Sequence, residues 1–172
     1  MLQSPPPPYR RASFAIIDFE ASSLDENSYP IEVGLAICRV GVIEGWSSLI
    51  RPTRDWLRRD AWSRASARVH GITLDMLADA PLPTVVWADL HRQVHGIPEL
   101  FCDGGAYDLH WLTELCAAAG AAAAFKLADI KGLLSTAGAS EDRYIEHLAN
   151  ATCPHRAAAD ARRMAEAVLA SL

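Results

Sequence analysis

Asp18 and Glu20 stand two residues apart in Ala15-Ile16-Ile17-Asp18-Phe19-Glu20-Ala21-Ser22, among apolar neighbours that an ordinary core strand would not mix with acids. The run Phe14 to Phe19 reads as a buried strand. Side chains alternate across a strand, so both carboxylates project from one face. Two like charges close together in apolar surroundings are costly unless a cation lies between them. A hard divalent metal bound through oxygen, such as Mg²⁺, resolves that cost. The alternative is a strand end whose acids reach solvent.

Two further acids extend the pattern. Asp108 lies in Ala106-Tyr107-Asp108-Leu109-His110-Trp111-Leu112, just after an expected strand and at a helix start. Asp160 lies in His155-Arg156-Ala157-Ala158-Ala159-Asp160-Ala161. Either acid alone is most often a cap or a surface group. The small residues around Asp160 would let its helix lie close against a sheet and project one carboxylate. Five residues of helix turn through about 500°, so His155 and Asp160 do not share a face of one regular helix. His155 is better placed in the loop or first turn after Pro154. From there its imidazole could serve a water without binding metal itself.

The elements that must position these groups can be read in outline. Ile31 to Val40 and Val42 to Ile50 read as strands joined by a tight turn at Gly41. Ile97 to Cys102 and Phe125 to Ile130 read as later strands. Helices are expected over Val85 to Val94, Ala106 to Ala119 with a stop at Gly120, Ile130 to Leu134, Asp142 to Leu148 and Arg156 to Leu169. Val69-His70-Gly71-Ile72-Thr73 reads as a loop, with Thr73 an N-cap. Strands first, then alternating helices and strands, imply a mixed β-sheet flanked by α-helices.

Length and composition set the limits. The 172 residues suit one domain, and 51% hydrophobic residues can bury a sizeable core. A net charge of −5 argues against broad electrostatic capture of long nucleic acid, though not against a short strand in a small site. Cys38, Cys102, Cys116 and Cys153 form no paired or zinc-like cluster. They read as reduced, packed thiols of a cytoplasmic protein. No apolar stretch reaches membrane-spanning length, so no membrane partner is expected. Met1 to Arg11 carries Pro5-Pro6-Pro7-Pro8, and residues 1–11 read as a flexible tail with protein docking as an option.

Other motifs carry less. Arg51, Arg54, Arg58, Arg59, Arg64 and Arg68 cluster in one short region, as a solvated helical face or as phosphate contacts. His91 and His95 are spaced like a zinc-peptidase pair, but Arg92 stands where that chemistry needs Glu. Gly104-Gly105 lacks the Lys and Ser/Thr of a phosphate loop.

Asp18-Phe19-Glu20, Tyr107-Asp108 with Trp111-Leu112, and His155 followed by Asp160 resemble the three motifs of the DEDDh 3′–5′ exonucleases. This is the DnaQ-like branch of the ribonuclease-H-like superfamily. Ser28-Tyr29-Pro30-Ile31-Glu32-Val33-Gly34 is similar to the segment after the first motif. Val69 to Thr73 is similar to the family's substrate-side loop. The resemblance spans nearly all of the chain from Phe14, with residues 12–172 as a single exonuclease domain. The chain departs from the pattern at Ala21, where the family often has Thr, and at Cys102-Asp103-Gly104-Gly105-Ala106, where it often has His-Asn-Ala. Asp103 is thus a turn residue or a supporting acid.

The resemblance implies an α/β, ribonuclease-H-like fold. It implies two Mg²⁺ or Mn²⁺ ions held by Asp18, Glu20, Asp108 and Asp160, with His155 as general base. The reaction implied is release of nucleoside 5′-monophosphates from 3′ ends of single-stranded DNA or RNA. Ala21, Ser22, His70, Gly71 and Ile72 are the candidate contacts to the terminal nucleotide. Two other settings stand beside this one: a nucleic-acid-binding module without turnover, and a proofreading subunit bound to a polymerase.

Overall fold

A computed structural model describes residues 13–172. The Pro-rich tail of residues 1–11 lies outside the described residues. Five strands form one sheet in the order β3-β2-β1-β4-β5. They are β1 (Ser13–Ala21), β2 (Pro30–Arg39), β3 (Val42–Leu49), β4 (Glu99–Cys102) and β5 (Lys126–Asp129). β1, β2 and β3 pair antiparallel, whereas β1, β4 and β5 pair parallel. The mixed sheet expected from the chain order is therefore present.

The β2–β3 connection is tighter than the strand limits suggested. Arg39 pairs with Val42, leaving only Val40 and Gly41 in the turn. Both have positive φ, 54° and 80°, the twist that lets two antiparallel strands join through two residues. Val40 is thus a turn residue rather than the end of β2.

Alternation along β1 and β2 divides the interior in two. Ala15, Ile17, Phe19 and Ala21 face one layer with Val33, Leu35, Trp87 and Leu112. Phe14 and Ile16 face the other, with Ala36, Ile130, Tyr144, Met164 and Val168. The first layer receives α4 (Pro83–Gln93) and α5 (Ala106–Ala119). The second receives α6 (Ile130–Ala137), α7 (Glu141–Asn150) and α8 (Ala157–Ser171). Asp18 and Glu20 continue the Phe14–Ile16 face, so they point toward the α8 side of the sheet.

Three short helices bridge β3 to α4: α1 (Arg54–Leu57), α2 (Arg64–His70) and α3 (Leu74–Ala78). Thr53, Ser63 and Thr73 cap them, each side-chain oxygen accepting a backbone N–H of the first turn. Val69 and His70, expected in a loop, instead form the last turn of α2, and Gly71 caps it at φ 70°. The arginine cluster is partly consumed by the protein itself. Arg51 Nε donates to the Ala80 carbonyl at 2.8 Å, Arg58 pairs with Asp55, and Arg59 pairs with Glu114. Arg64 and Arg68 are exposed on α2. Among the described residues no helix is long and apolar enough to cross a membrane.

Candidate active site

The alanines around Asp160 do what small residues allow. Ala157, Asp160, Ala161, Met164, Ala165, Ala167, Val168 and Ser171 are the buried residues of α8, and all but Ala167 are spaced as one helical stripe. Asp160 is on that stripe and so faces the sheet. Beneath the start of α8 lies Gly34, paired with Asp18 across β1 and β2. A Cβ at Gly34 would sit 2.1 Å from the Ala158 nitrogen and 2.2 Å from the Ala157 carbonyl carbon. Only glycine admits so close an approach of helix to strand.

A second device fixes the same helix end. Glu32, paired with Glu20 across the strands, is buried. It accepts from Arg156 Nε at 3.0 Å, from Arg156 Nη2 at 2.7 Å and from the Ala157 amide at 3.1 Å. A two-pronged guanidinium contact has a defined direction as well as strength. Glu32 therefore orients the N-terminus of α8 and, with it, Asp160. Asp160 Oδ2 in turn accepts the Arg156 N–H at 3.0 Å, closing the first turn.

Carboxylate oxygens of Asp18, Glu20 and Asp160 lie within 4.8 Å of one another. They line a cavity of about 330 Å³ together with Ala21, Leu24, Val69, His70, Asp103, Trp111, Cys153, His155 and Arg163. His155 lies in the loop before α8, as expected after Pro154, with a positive φ of 51°. Its side chain is exposed.

Charge is poorly balanced here. Burial, and then the neighbouring Asp108, Glu20, Asp103 and Asp160, hold the Asp18 carboxyl well above the ordinary range. Burial, Asp160 and Glu32 push Glu20 up to about 8, against a smaller opposing pull from Arg156. Arg163 Nε stands 3.4 Å from Asp160 Oδ1 and is the nearby cation on that side. Buried carboxylates drawn together with so little positive charge nearby form a donor set suited to a hard divalent ion.

Asp108 is close by but turned away. Its Oδ2 accepts the Gly104 N–H at 3.0 Å, and it does not line the cavity. Burial raises its pKa to about 6, opposed by hydrogen bonds from Cys102 and Gly104. A Cβ at residue 104 would come within 2.6 Å of that carboxylate oxygen, so glycine there permits the inward turn. Asp103, ambiguous in sequence, is the acid of this loop that faces the cavity.

The nucleotide-contact candidates divide. Ala21 and His70 line the cavity. His70 Nδ1 accepts the Ile72 N–H at 3.0 Å, and burial lowers its pKa, partly offset by the Ala21 backbone. Gly71 is exposed at the end of α2. Ile72 is fully buried in the core, and the Ser22 hydroxyl, also buried, accepts the Tyr29 N–H at 3.1 Å. Neither side chain lines the cavity, so a nucleotide contact from these positions falls to the backbone. Trp111 Nε1 donates to Ser28 Oγ at 2.9 Å, fixing the indole that forms one wall. Leu24 and Arg163 were not singled out in sequence, and Cys153 was read only as a packed thiol. Arg163 follows Asp160 by three residues, a helical spacing that could have found it. Cys153 is exposed, a correction to the expectation of four packed thiols.

The raised acids fix the sign of a pH effect. Glu20 titrates near 8 in the folded protein and near 4.5 when free. Between those values the folded state binds the extra proton, so stability falls as pH rises. In EDTA, the thermal midpoint should drop from about pH 5 to about pH 8 by roughly 5 °C more in wild type than in Glu20→Gln. Mg²⁺ or Mn²⁺ should restore it increasingly toward high pH. Differential scanning fluorimetry across that range checks this; equal slopes in the two proteins would mean that Glu20 is compensated.

The fold is shared with solved 3′-exonucleases. A 3′-exonuclease solved in 3′-end-specific recognition of a histone mRNA stem-loop matches at TM-score 0.70 and 18% identity, over 91% of this chain and 62% of that one. The zinc-bound complex of E. coli exonuclease I with single-stranded DNA matches at TM-score 0.67 and 14% identity, over 92% of this chain and 40% of that one. Cell-death related nuclease 4 matches at TM-score 0.58 and 14% identity, over 93% of this chain and 63% of that one. The chain thus spans less than two thirds of the length of these proteins. Its architecture is the ribonuclease-H-like α/β fold of these solved 3′-exonucleases. No protein-family model and no curated protein matches it by sequence.

Proposed function

We propose that this protein is a metal-dependent 3′–5′ exonuclease of the DEDDh type, acting on single-stranded DNA or RNA. The carrying observation is the convergence of Asp18, Glu20 and Asp160 oxygens within 4.8 Å, in a cavity that His155 also lines. Phosphodiester hydrolysis needs an attacking water, a shielded phosphate and a stabilised leaving oxygen. Asp18, Glu20, Asp160 and, with its carboxylate turned toward them, Asp108 would hold two Mg²⁺ or Mn²⁺ ions. Such ions, when bound, offset charge on the entering and leaving oxygens.

The chain's own groups supply the rest. His155 takes the proton of the attacking water, the role imidazole most often fills in general-base catalysis. Its exposed loop position gives the imidazole room to approach a terminal phosphate. Trp111, Leu24 and Val69 offer aromatic and apolar walls against which a terminal nucleotide can lie. The Ala21 backbone and His70, both lining the cavity, with exposed Gly71 beside them, are the contacts retained from the sequence reading. Exposed Arg64 and Arg68 lie on α2, which borders the cavity through Ser66 and Val69, and would attract the phosphate backbone.

The test is time-resolved digestion of matched 5′-labelled DNA and RNA oligonucleotides with Mg²⁺ or Mn²⁺, beside EDTA and Asp160→Asn controls. Asn keeps an oxygen for the Arg156 N–H, so the control loses charge without losing the first turn of α8. A ladder shortening from the 3′ end, absent from both controls, is expected. Intact oligonucleotides under every metal condition would leave a binding module as the better reading. His155→Ala should lower kcat by about 10²–10⁴-fold with little change in KM; an equal loss in KM would make His155 a positioning residue.

A further inference from the structure

Cys153 lies at the rim of the proposed nuclease site, and the reaction described above makes no use of it. Its exposed side chain sits among two other ligand types. Cys153 Sγ is 3.6 Å from His155 Nδ1 and 3.4 Å from Asp160 Oδ1. The sulfur, the imidazole nitrogen and the carboxylate oxygen all fall within 4.8 Å of one another. These separations can be compared with those around a tetrahedral zinc ion. Zn–S near 2.3 Å with Zn–N and Zn–O near 2.0–2.2 Å puts sulfur about 3.6 Å from each partner. Both measured sulfur distances are close to that value. The thiol and imidazole are exposed, so an ion has an open path to them.

We propose that Cys153, His155 and Asp160 form a three-ligand site for Zn²⁺ or a similar thiophilic divalent ion, and that its occupancy switches the nuclease off. Asp18 and Glu20 offer only hard oxygen, whereas this trio adds sulfur and nitrogen, which select zinc over magnesium. Coordination replaces the thiol proton, which is released to solvent. A fourth position stays open to solvent. Zinc held here occupies the imidazole that would accept the water's proton and a carboxylate oxygen of the acid cluster. Inhibition is thus built from the same two residues as the reaction, with Cys153 as the added ligand. The inhibitory half of this inference rests on the proposed hydrolysis; the metal-binding half does not.

Co²⁺ titration of the reduced, metal-stripped full-length protein separates the two. Thiolate coordination to Co²⁺ gives a near-ultraviolet charge-transfer band that oxygen and nitrogen ligands do not give. Wild type should develop this band to one equivalent of Co²⁺, lose it on adding Zn²⁺, and differ in this from Cys153→Ser. In parallel, the Zn²⁺ concentration that halves Mg²⁺-supported digestion, normalised to each protein's own activity, should rise about 10-fold or more in Cys153→Ser. Because Cys153 is exposed, the variant should keep the wild-type circular dichroism spectrum. A Cys153-dependent band in a protein that digests nothing would support the metal site and overturn the proposed hydrolysis. No thiolate band at saturating Co²⁺, or equal Zn²⁺ sensitivity in the two proteins, would overturn this inference while leaving the nuclease reading intact.

Discussion

Asp18→Asn should abolish metal-dependent hydrolysis and at the same time raise the thermal midpoint of the metal-free protein. The two effects share one cause. Asp18 is desolvated and feels the charges of Asp108, Glu20, Asp103 and Asp160, so its carboxyl is held well above the ordinary range. A neutral amide of the same shape removes that repulsion but also removes an oxygen anion from the proposed metal site. Loss of several kcal/mol of transition-state stabilisation corresponds to about 10³-fold in rate or more. The stability gain should be a few degrees in EDTA and should vanish when Mg²⁺ is added to wild type. Acid clusters of this kind exchange stability for function. Thermal melts with and without EDTA, beside the digestion assay, check both parts. An Asn variant that is active, or less stable than wild type in EDTA, would falsify the assignment of Asp18 to a metal-binding cluster.

Gly34→Ala is expected to be the most damaging single-methyl change in the chain. The added carbon meets backbone atoms of Ala157 and Ala158, which cannot swing aside as a flexible side chain would. α8 must move, together with Asp160, the Arg156 contact to Glu32 and the loop that carries His155. Overpacking against backbone costs about 3 kcal/mol or near it. A shift of about 1 Å in a reacting group can cost 10²-fold in rate. Gly45→Ala is the matched control, because its Cβ would meet only the Leu35 carbonyl oxygen at 3.7 Å. Urea unfolding and single-turnover digestion of both variants decide the matter. Similar behaviour of the two would mean that α8 tolerates displacement from β2.

Much of this arrangement was readable from residue order. Asp18 and Glu20 announce themselves because acids at i and i+2 in an apolar strand must share a face. Asp160 does so because a lone acid in a run of alanines has no local reason to be there. The mixed sheet follows from an early hairpin and later strand–helix alternation. What stayed hidden depends on pairings that no local pattern encodes. Glu32 in sequence is one polar residue in an apolar strand; its partner is Arg156, far along the chain. Ile72 and Ser22 sit in segments similar to substrate-side motifs, yet their side chains are taken up by the core and by Tyr29. Val69 and His70 were read as loop because α2 is only 7 residues long, too short to show a helical period. The turn of Asp108 toward the Gly104 N–H is a hydrogen-bond pairing that the spacing of the motif does not encode.

The clasp between Glu32 and Arg156 joins residues 124 positions apart. Closing a contact of such range costs more loop entropy than closing a local one. A chain in which the sheet has formed but α8 has not docked would hold Asp18, Glu20 and Glu32 and lack both Asp160 and His155 at the cavity. Under the proposed reaction, hydrolytic competence would require α8 to be docked and would not grow gradually with the sheet. On that reading, a half-folded copy would be a silent one.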